Sequence, residues 1–287
     1  MAQESITVST PPVAVTGRGR GRGRILMGLS RLVPEYYITI LTIIGVIVAW
    51  QLIVTALAVP KFLMPSPILI SNALGRYSSI LLNDTRITLF ETVAGFAAGS
   101  AFGLFLAILV VFSRVLEKMI YPPAILTQMV PKLAIAPLFV IWFGLGLLPK
   151  VMIILVVCMF PVLINAVMGM RAVDPRMFEL MQSINASRWQ IFRKIEFPNS
   201  LPWLFAGLKI GITMAVTGAV VGEWLGSNAG LGHQILMANS QLSTELLFAS
   251  LVMLSASGMV LFGAVAIVES ILLPGQKRIN IADKDVL

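Results

Sequence analysis

A chain of 287 residues that is 57% apolar and only 12% charged carries about half the charge of an ordinary soluble domain, which excludes a water-soluble globular fold. Its formal charge of +8 invites a nucleic-acid reading, but the basic residues alternate with the apolar runs as the orientation rule for membrane helices requires, so nucleic acid is not needed to explain them. The single cysteine, Cys158, lies inside an apolar run, so there is no intrachain disulfide and no thiolate metal site.

A hydrocarbon core about 30 Å thick needs roughly 20 helical residues to cross it. Six apolar runs meet that length, near 36–59, 87–112, 121–145, 150–170, 201–224 and 246–272. They predict an all-α integral membrane protein with about six transmembrane helices. Most of the 21 Lys and Arg fall before residue 32, at 113–118, at 171–198 and after 274. Placing those four segments in the cytosol puts both termini inside and leaves Lys61, Arg76, Arg86 and Lys150 in the outer loops.

Residues 1–35 read as a disordered basic cytosolic tail, 36–274 as the membrane domain and 275–287 as a second cytosolic tail. The tail repeat "RGRGRGR" at 18–24 has no aromatic residue to stack on bases and suits anionic lipid of the inner leaflet. The first apolar run ends in "ALA" at 56–58, but it is too long and too far from the N-terminus for a signal core, so it is expected to stay uncleaved.

After this run, Pro60, Pro65 and Pro67 end the first helix and fix an extended outer turn. Residues 67–82 follow as a short amphipathic helix at the outer surface. In the second span Gly95, Gly99 and Gly103 repeat on one face, and Gly218, Gly222 and Gly226 repeat the device in the fifth. Such faces admit a second helix closely, within the chain or from a second copy.

The third span carries Pro122, Pro123, Pro131 and Pro137, which kink it, and places Gln128 and Lys132 at bilayer depth. A lysine there costs several kcal/mol unless it faces protein or water. It serves a solute route, or it is held by a structural partner such as Glu91 or Glu223.

Between the fourth and fifth spans the chain turns polar. Asp174-Pro175 is an N-cap followed by proline at the first helical position. Met177, Leu180, Met181 and Ile184 then share one face, and Asn185 takes the left-handed conformation that ends the helix. Ser187 and Gln190 have capping-box spacing and start a second helix with Trp189, Phe192 and Ile195 on a stripe. Pro198 is expected to stop it. The resulting hairpin is too short to span the bilayer, and its apolar stripe calls for a separate cytosolic partner.

This segment resembles the cytosolic loop of bacterial ABC importer permeases, which reads Glu-Ala-Ala, three residues, Gly, nine residues, Ile, one residue, Leu, Pro. Glu179, Asn185, Ile195 and Pro198 keep every spacing, while Leu180 and Met181 replace the alanines and Phe197 the leucine. "MPSP", "APLFVIWFGLG", "FPVLINAVMGMRAVDP" and "GEWLGSNAGLG" extend the similarity over about residues 60–245, toward the branch that imports nitrate, sulfonates, taurine or thiamine-pyrimidine precursors.

The resemblance implies a type I ABC importer fold in the bacterial inner membrane and a partnership of two permease copies, two ATPase subunits and a periplasmic or lipid-tethered solute-binding protein. It implies ATPase coupling through Glu179, Leu180, Met181, Ile184, Asn185, Trp189, Ile195 and Pro198. Because the fifth span lines the path in this family, Glu223 and Trp224 join Gln128 and Lys132 as candidates for the solute route, and Lys132 favours an anionic solute. The chain has no GxxxxGK[ST] loop to hold ATP and calls for no cofactor. His233 by itself assembles neither a metal site nor a nucleophilic triad.

Overall fold

A computed structural model describes residues 23–127 and 129–274, with the backbone alone for residues 23–36. It divides into two units, one ending at Leu57 and the other beginning at Ala58. The first is the helix α1 (Gly23–Ala56), which takes in residues 23–35, assigned from sequence to the disordered tail. The expectations for residues 1–22 and 275–287, and for Gln128, lie outside the described residues.

In the second unit, α2 (Pro67–Arg76) is capped by Ser66, whose hydroxyl accepts from the Leu69 N–H. It is shorter than the helix expected over 67–82, because Tyr77 breaks the run and α3 (Ser78–Phe112) starts at once. Next come α4 (Arg114–Leu126), α5 (Ala136–Phe143), α6 (Leu147–Arg171), α7 (Pro175–Ser183) and α8 (Arg188–Ile191). The chain ends with α9 (Phe197–Gly226), α10 (Leu231–Ser240) and α11 (Thr244–Leu272).

Five helical stretches among the described residues are long and apolar enough to cross a membrane: Tyr37–Ala56, Ser78–Phe112, Leu147–Arg171, Arg188–Gly226 and Thr244–Leu272. The expected third span is not continuous. Pro122 and Pro123 are accommodated inside α4, but α4 ends at Leu126, Met129 and Val130 are non-helical, and the chain resumes as one 3₁₀ turn, Lys132–Ile135, leading into α5. Pro131 has no N–H to carry a helix across the gap.

Pro198 does not stop its helix either. A π turn over Phe192–Glu196 joins α8 to α9, and Pro198 falls in the first turn of α9, where a missing N–H costs little. The segment 225–245, read from sequence as an outer loop, contains α10.

Helix α6 is central, flanked by α3 and α9. A Cβ at Gly99 would stand 2.8 Å from the Leu155 carbonyl oxygen, and one at Gly103 would stand 2.5 Å from that of Met159. On α9, a Cβ at Gly207 would come within 2.9 Å of the Pro161 carbonyl oxygen, and one at Gly222 within 3.3 Å of Lys150. The first stripe, and Gly218 and Gly222 of the second, therefore pack on α6 inside the chain, while Gly226 faces Val140 and Leu145 instead. That close approach builds a buried seam of Ile154, Cys158, Ile212, Ala215 and Ala219 without the water-driven force that folds soluble cores. The Cys158 thiol donates to the Gly211 carbonyl across the seam.

Candidate functional site

The polar hairpin is defined by its caps. The Asp174 carboxylate accepts from the Arg176 N–H at 2.9 Å and opens α7. Asn185 sits at φ +52, and the Ala186 N–H closes onto the Met181 carbonyl at 2.9 Å. Ser187 and Gln190 then bond reciprocally, Ser187 N–H to Gln190 Oε1 at 2.7 Å and Gln190 N–H to Ser187 Oγ at 3.3 Å. Every turn of the hairpin is fixed locally.

Its apolar face is nonetheless uncovered. Met177, Leu180 and Ile184 are 45%, 57% and 64% exposed, and Glu179 beside them is exposed with no ion pair among the described residues. Met181, on the same stripe, is buried. Trp189 is exposed but packs against Phe112 and Phe192, with ring centroids 6.2 and 5.4 Å away. Ile195 and Pro198 line a hollow of about 480 Å³ together with Asp174, Met177 and Lys194.

The π turn behind the hairpin is held by Arg188, whose guanidinium donates to Glu196 Oε1 at 2.6 Å and to the Val111 carbonyl at 3.0 Å. Neither Arg188 nor Glu196 was singled out from sequence.

Lys132 is not held by Glu91 or Glu223. Its ammonium lies 4.7 Å from the centroid of the Phe160 ring, and among the described residues it has no carboxylate partner. It borders a cavity of about 370 Å³ that Val157 and Asn165 of α6 and Ile210, Met214 and Thr217 of α9 complete. The cavity stands midway along α9, whose thirty residues extend about 45 Å.

The two carboxylates have other partners. Lys150 donates to Glu91 Oε1 at 2.5 Å and to Ser227 Oγ at 2.7 Å. It was assigned to an outer loop from sequence, but it lies in the first turn of α6 and is buried. Glu223 is fully buried: Oε1 accepts from the Thr88 hydroxyl at 2.6 Å, and Oε2 from the N–H of Gly232 at 2.5 Å and of His233 at 3.3 Å. Thr88 in turn accepts from the Leu231 N–H at 2.8 Å, and Asp84 from that of Gly230 at 3.1 Å.

The orphan donors at the start of α10 are thus met by side chains of α3 and α9, and a carboxylate sits where the helix dipole favours one. Trp224 is half exposed, donates its indole N–H to the Gly232 carbonyl, and borders a cavity of about 600 Å³ with Lys150, Asn228 and His233.

Residues 99–273 match the family described as binding-protein-dependent transport system inner membrane component. The chain belongs to that family. The permease is 32% identical to the formylaminopyrimidine transport permease protein ThiX of Halalkalibacterium halodurans, over 80% of its own length and 92% of the relative's. It is 26% identical to the taurine transport system permease protein TauC of Escherichia coli, over 79% and 84% of the two chains. Its fold is similar to that of a chain in the inward-facing MetNI methionine ABC transporter, with a TM-score of 0.61 and 17% identity over 69% of the permease and 98% of that chain. It is a membrane-embedded permease subunit of an ABC importer, and ATP hydrolysis belongs to a separate subunit.

The permease joins five of its sequence-predicted coupling residues, Glu179, Leu180, Ile184, Asn185 and Trp189, on exposed surface of the hairpin. Sequence reasoning missed the set Asp84, Thr88, Glu91 and Lys150. The signal was present: Asp84, Thr88 and Glu91 recur at four and three residues, so they share one face of an otherwise apolar helix.

Proposed function

We propose that the permease, paired with a second copy of itself, forms the route by which a small anionic solute such as a sulfonate, taurine or nitrate enters the cell. Two ATPase subunits drive it through the hairpins at 174–198. The observation that carries this reading is the face of Met177, Leu180 and Ile184. It is capped at both ends, apolar and uncovered, on a hairpin too short to span the bilayer.

In this reading the hairpin and both termini are cytosolic, as the basic residues of 113–118 and 171–198 favour. A periplasmic or lipid-tethered binding protein delivers solute at the opposite end of α9. Trp224 bounds the route there through its exposed ring, and Glu223 by holding α10 in place. Lys132, with Gln128, contacts the solute between the two ends. Closure of the ATPase pair draws the hairpins together and turns the helices from inward- to outward-open.

Glu179→Lys tests the coupling. It should release the ATPase subunit or leave its hydrolysis without uptake; unchanged transport in reconstituted vesicles refutes the role. An ion-coupled transporter is separated by uptake that survives collapse of ion gradients and stops without ATP.

A second reading, a neutral or cationic pyrimidine precursor as solute, is favoured by the similarity to the formylaminopyrimidine permease. It requires that Lys132→Ala leave uptake of such a solute intact.

A further inference from the structure

The hairpin is joined to the membrane helices in three places. Two are the chain itself: residues 172–174 lead in from α6, and the π turn over Phe192–Glu196 leads out into α9. The third is a side chain. Arg188, the first residue of α8, donates through one guanidinium nitrogen to Glu196 Oε1 at 2.6 Å and through another to the Val111 carbonyl at 3.0 Å, and its guanidinium lies 5.5 Å from the centroid of the Phe112 ring. Val111 and Phe112 are the last two residues of α3.

The chemistry of a helix end suits this grip. The Val111 carbonyl is one of the four that an α-helix leaves without an internal donor, and a cation beside it lies at the pole of the helix dipole that favours positive charge. Glu196 anchors the guanidinium from the other side. Its side chain is 4% exposed, Arg188 is its ion-pair partner, and its second oxygen is buried without a hydrogen bond among the described residues. Phe112 adds a ring contact to Phe192, with 5.0 Å between centroids.

Helix α3 carries another attachment far from this one. Asp84 and Thr88 accept from the N–H groups of Gly230 and Leu231 and so seat the start of α10. Residues 84 and 111 stand about 40 Å apart along the helix. Between them Gly99 and Gly103 lie against the α6 backbone, which leaves α3 little space to bend toward α6.

We propose that Arg188 is a positioning residue for coupling, which ties the hairpin to the end of α3 so that displacement of the hairpin is carried along that helix to the seat of α10. The proposal rests on the reading of the hairpin as the ATPase contact, and it adds α3 as a second lever beside α9.

The test follows a cysteine on α10 in the purified complex of the permease with its ATPase subunit. Leu236 is 42% exposed and borders the cavity beside Trp224. In a Leu236→Cys, Cys158→Ala background, ATP with vanadate should change the rate of maleimide labelling by about fivefold or more relative to the nucleotide-free complex. Arg188→Met alone leaves the Glu196 charge buried, whereas Arg188→Met with Glu196→Gln strands no charge. The double variant should recover the melting temperature that the single variant loses, keep its ATPase subunit, and still lack the nucleotide-dependent change at position 236.

A double variant that holds the ATPase subunit and responds to nucleotide as the wild type does overturns the proposal and leaves the coupling reading standing. One that sheds the subunit also overturns it, because Arg188 would then belong to the docking face. A wild-type complex in which position 236 is indifferent to nucleotide sinks the coupling reading together with the proposal.

Discussion

The ammonium of Lys150 lies 2.5 Å from Oε1 of Glu91, and the two side chains are 7% and 5% exposed. This ion pair ties the start of α6 to the middle of α3, and through Ser227 to the end of α9. Removing one partner strands a buried charge, at a cost of about 3 kcal/mol or more. Glu91→Ala should therefore lower the thermal stability of the purified chain sharply. Glu91→Leu combined with Lys150→Met should recover most of the loss. A double variant no better than the single would argue that the pair does more than neutralise charge.

Glu223 holds the first turn of α10, so its loss should be local. Glu223→Ala leaves the N–H groups of Gly232 and His233 without their acceptor, a penalty of about 2 kcal/mol. Amide exchange at 231–233 should rise roughly thirtyfold, with little change at the hairpin. Glu223→Gln, which keeps one acceptor oxygen, should fall between the two. Uniform exchange across the chain would place the carboxylate's role elsewhere.

The α3–α6 contact sets a steric limit. Gly99→Ala puts a methyl 2.8 Å from the Leu155 carbonyl oxygen, whereas a Cβ at Gly263 meets nothing within 4 Å. Overpacking of this kind costs about 1–3 kcal/mol. The melting temperature should fall for Gly99→Ala and hold or rise slightly for Gly263→Ala. Equal effects would mean that the two helices separate freely.

Asn185 turns the hairpin at φ +52. Glycine takes that conformation without penalty, and a β-branched residue pays about 1–2 kcal/mol. Asn185→Gly should retain the ATPase subunit through purification, and Asn185→Val should lose it. Retention by the valine variant would detach the hairpin's shape from its binding.

The hairpin was legible because its signals are local: Asp174, Asn185, Ser187 and Gln190 each act within four residues. Helix ends were harder. Asp84, Arg86 and Lys150 depress hydropathy and pull the apparent span limits inward to 87 and 150. The partners that make two of them tolerable, the Gly230 N–H and Glu91, come from elsewhere in the chain. Pro131 marked a disturbance of the third span, but hydropathy does not separate a kinked helix from a broken one. Pro198 misled for the opposite reason, since a π turn ahead of it lets the helix restart with proline in its first turn.

The central claim is that the face of α7 bearing Leu180 belongs to a nucleotide-hydrolysing subunit in the cytosol. The most direct measurement is labelling of a Leu180→Cys, Cys158→Ala variant with a membrane-impermeant thiol reagent, in intact cells and in inside-out vesicles, with and without the ATPase subunit. The account predicts labelling only in inside-out vesicles, and its suppression when the ATPase is present. Labelling from outside intact cells, or labelling indifferent to the ATPase, would contradict it.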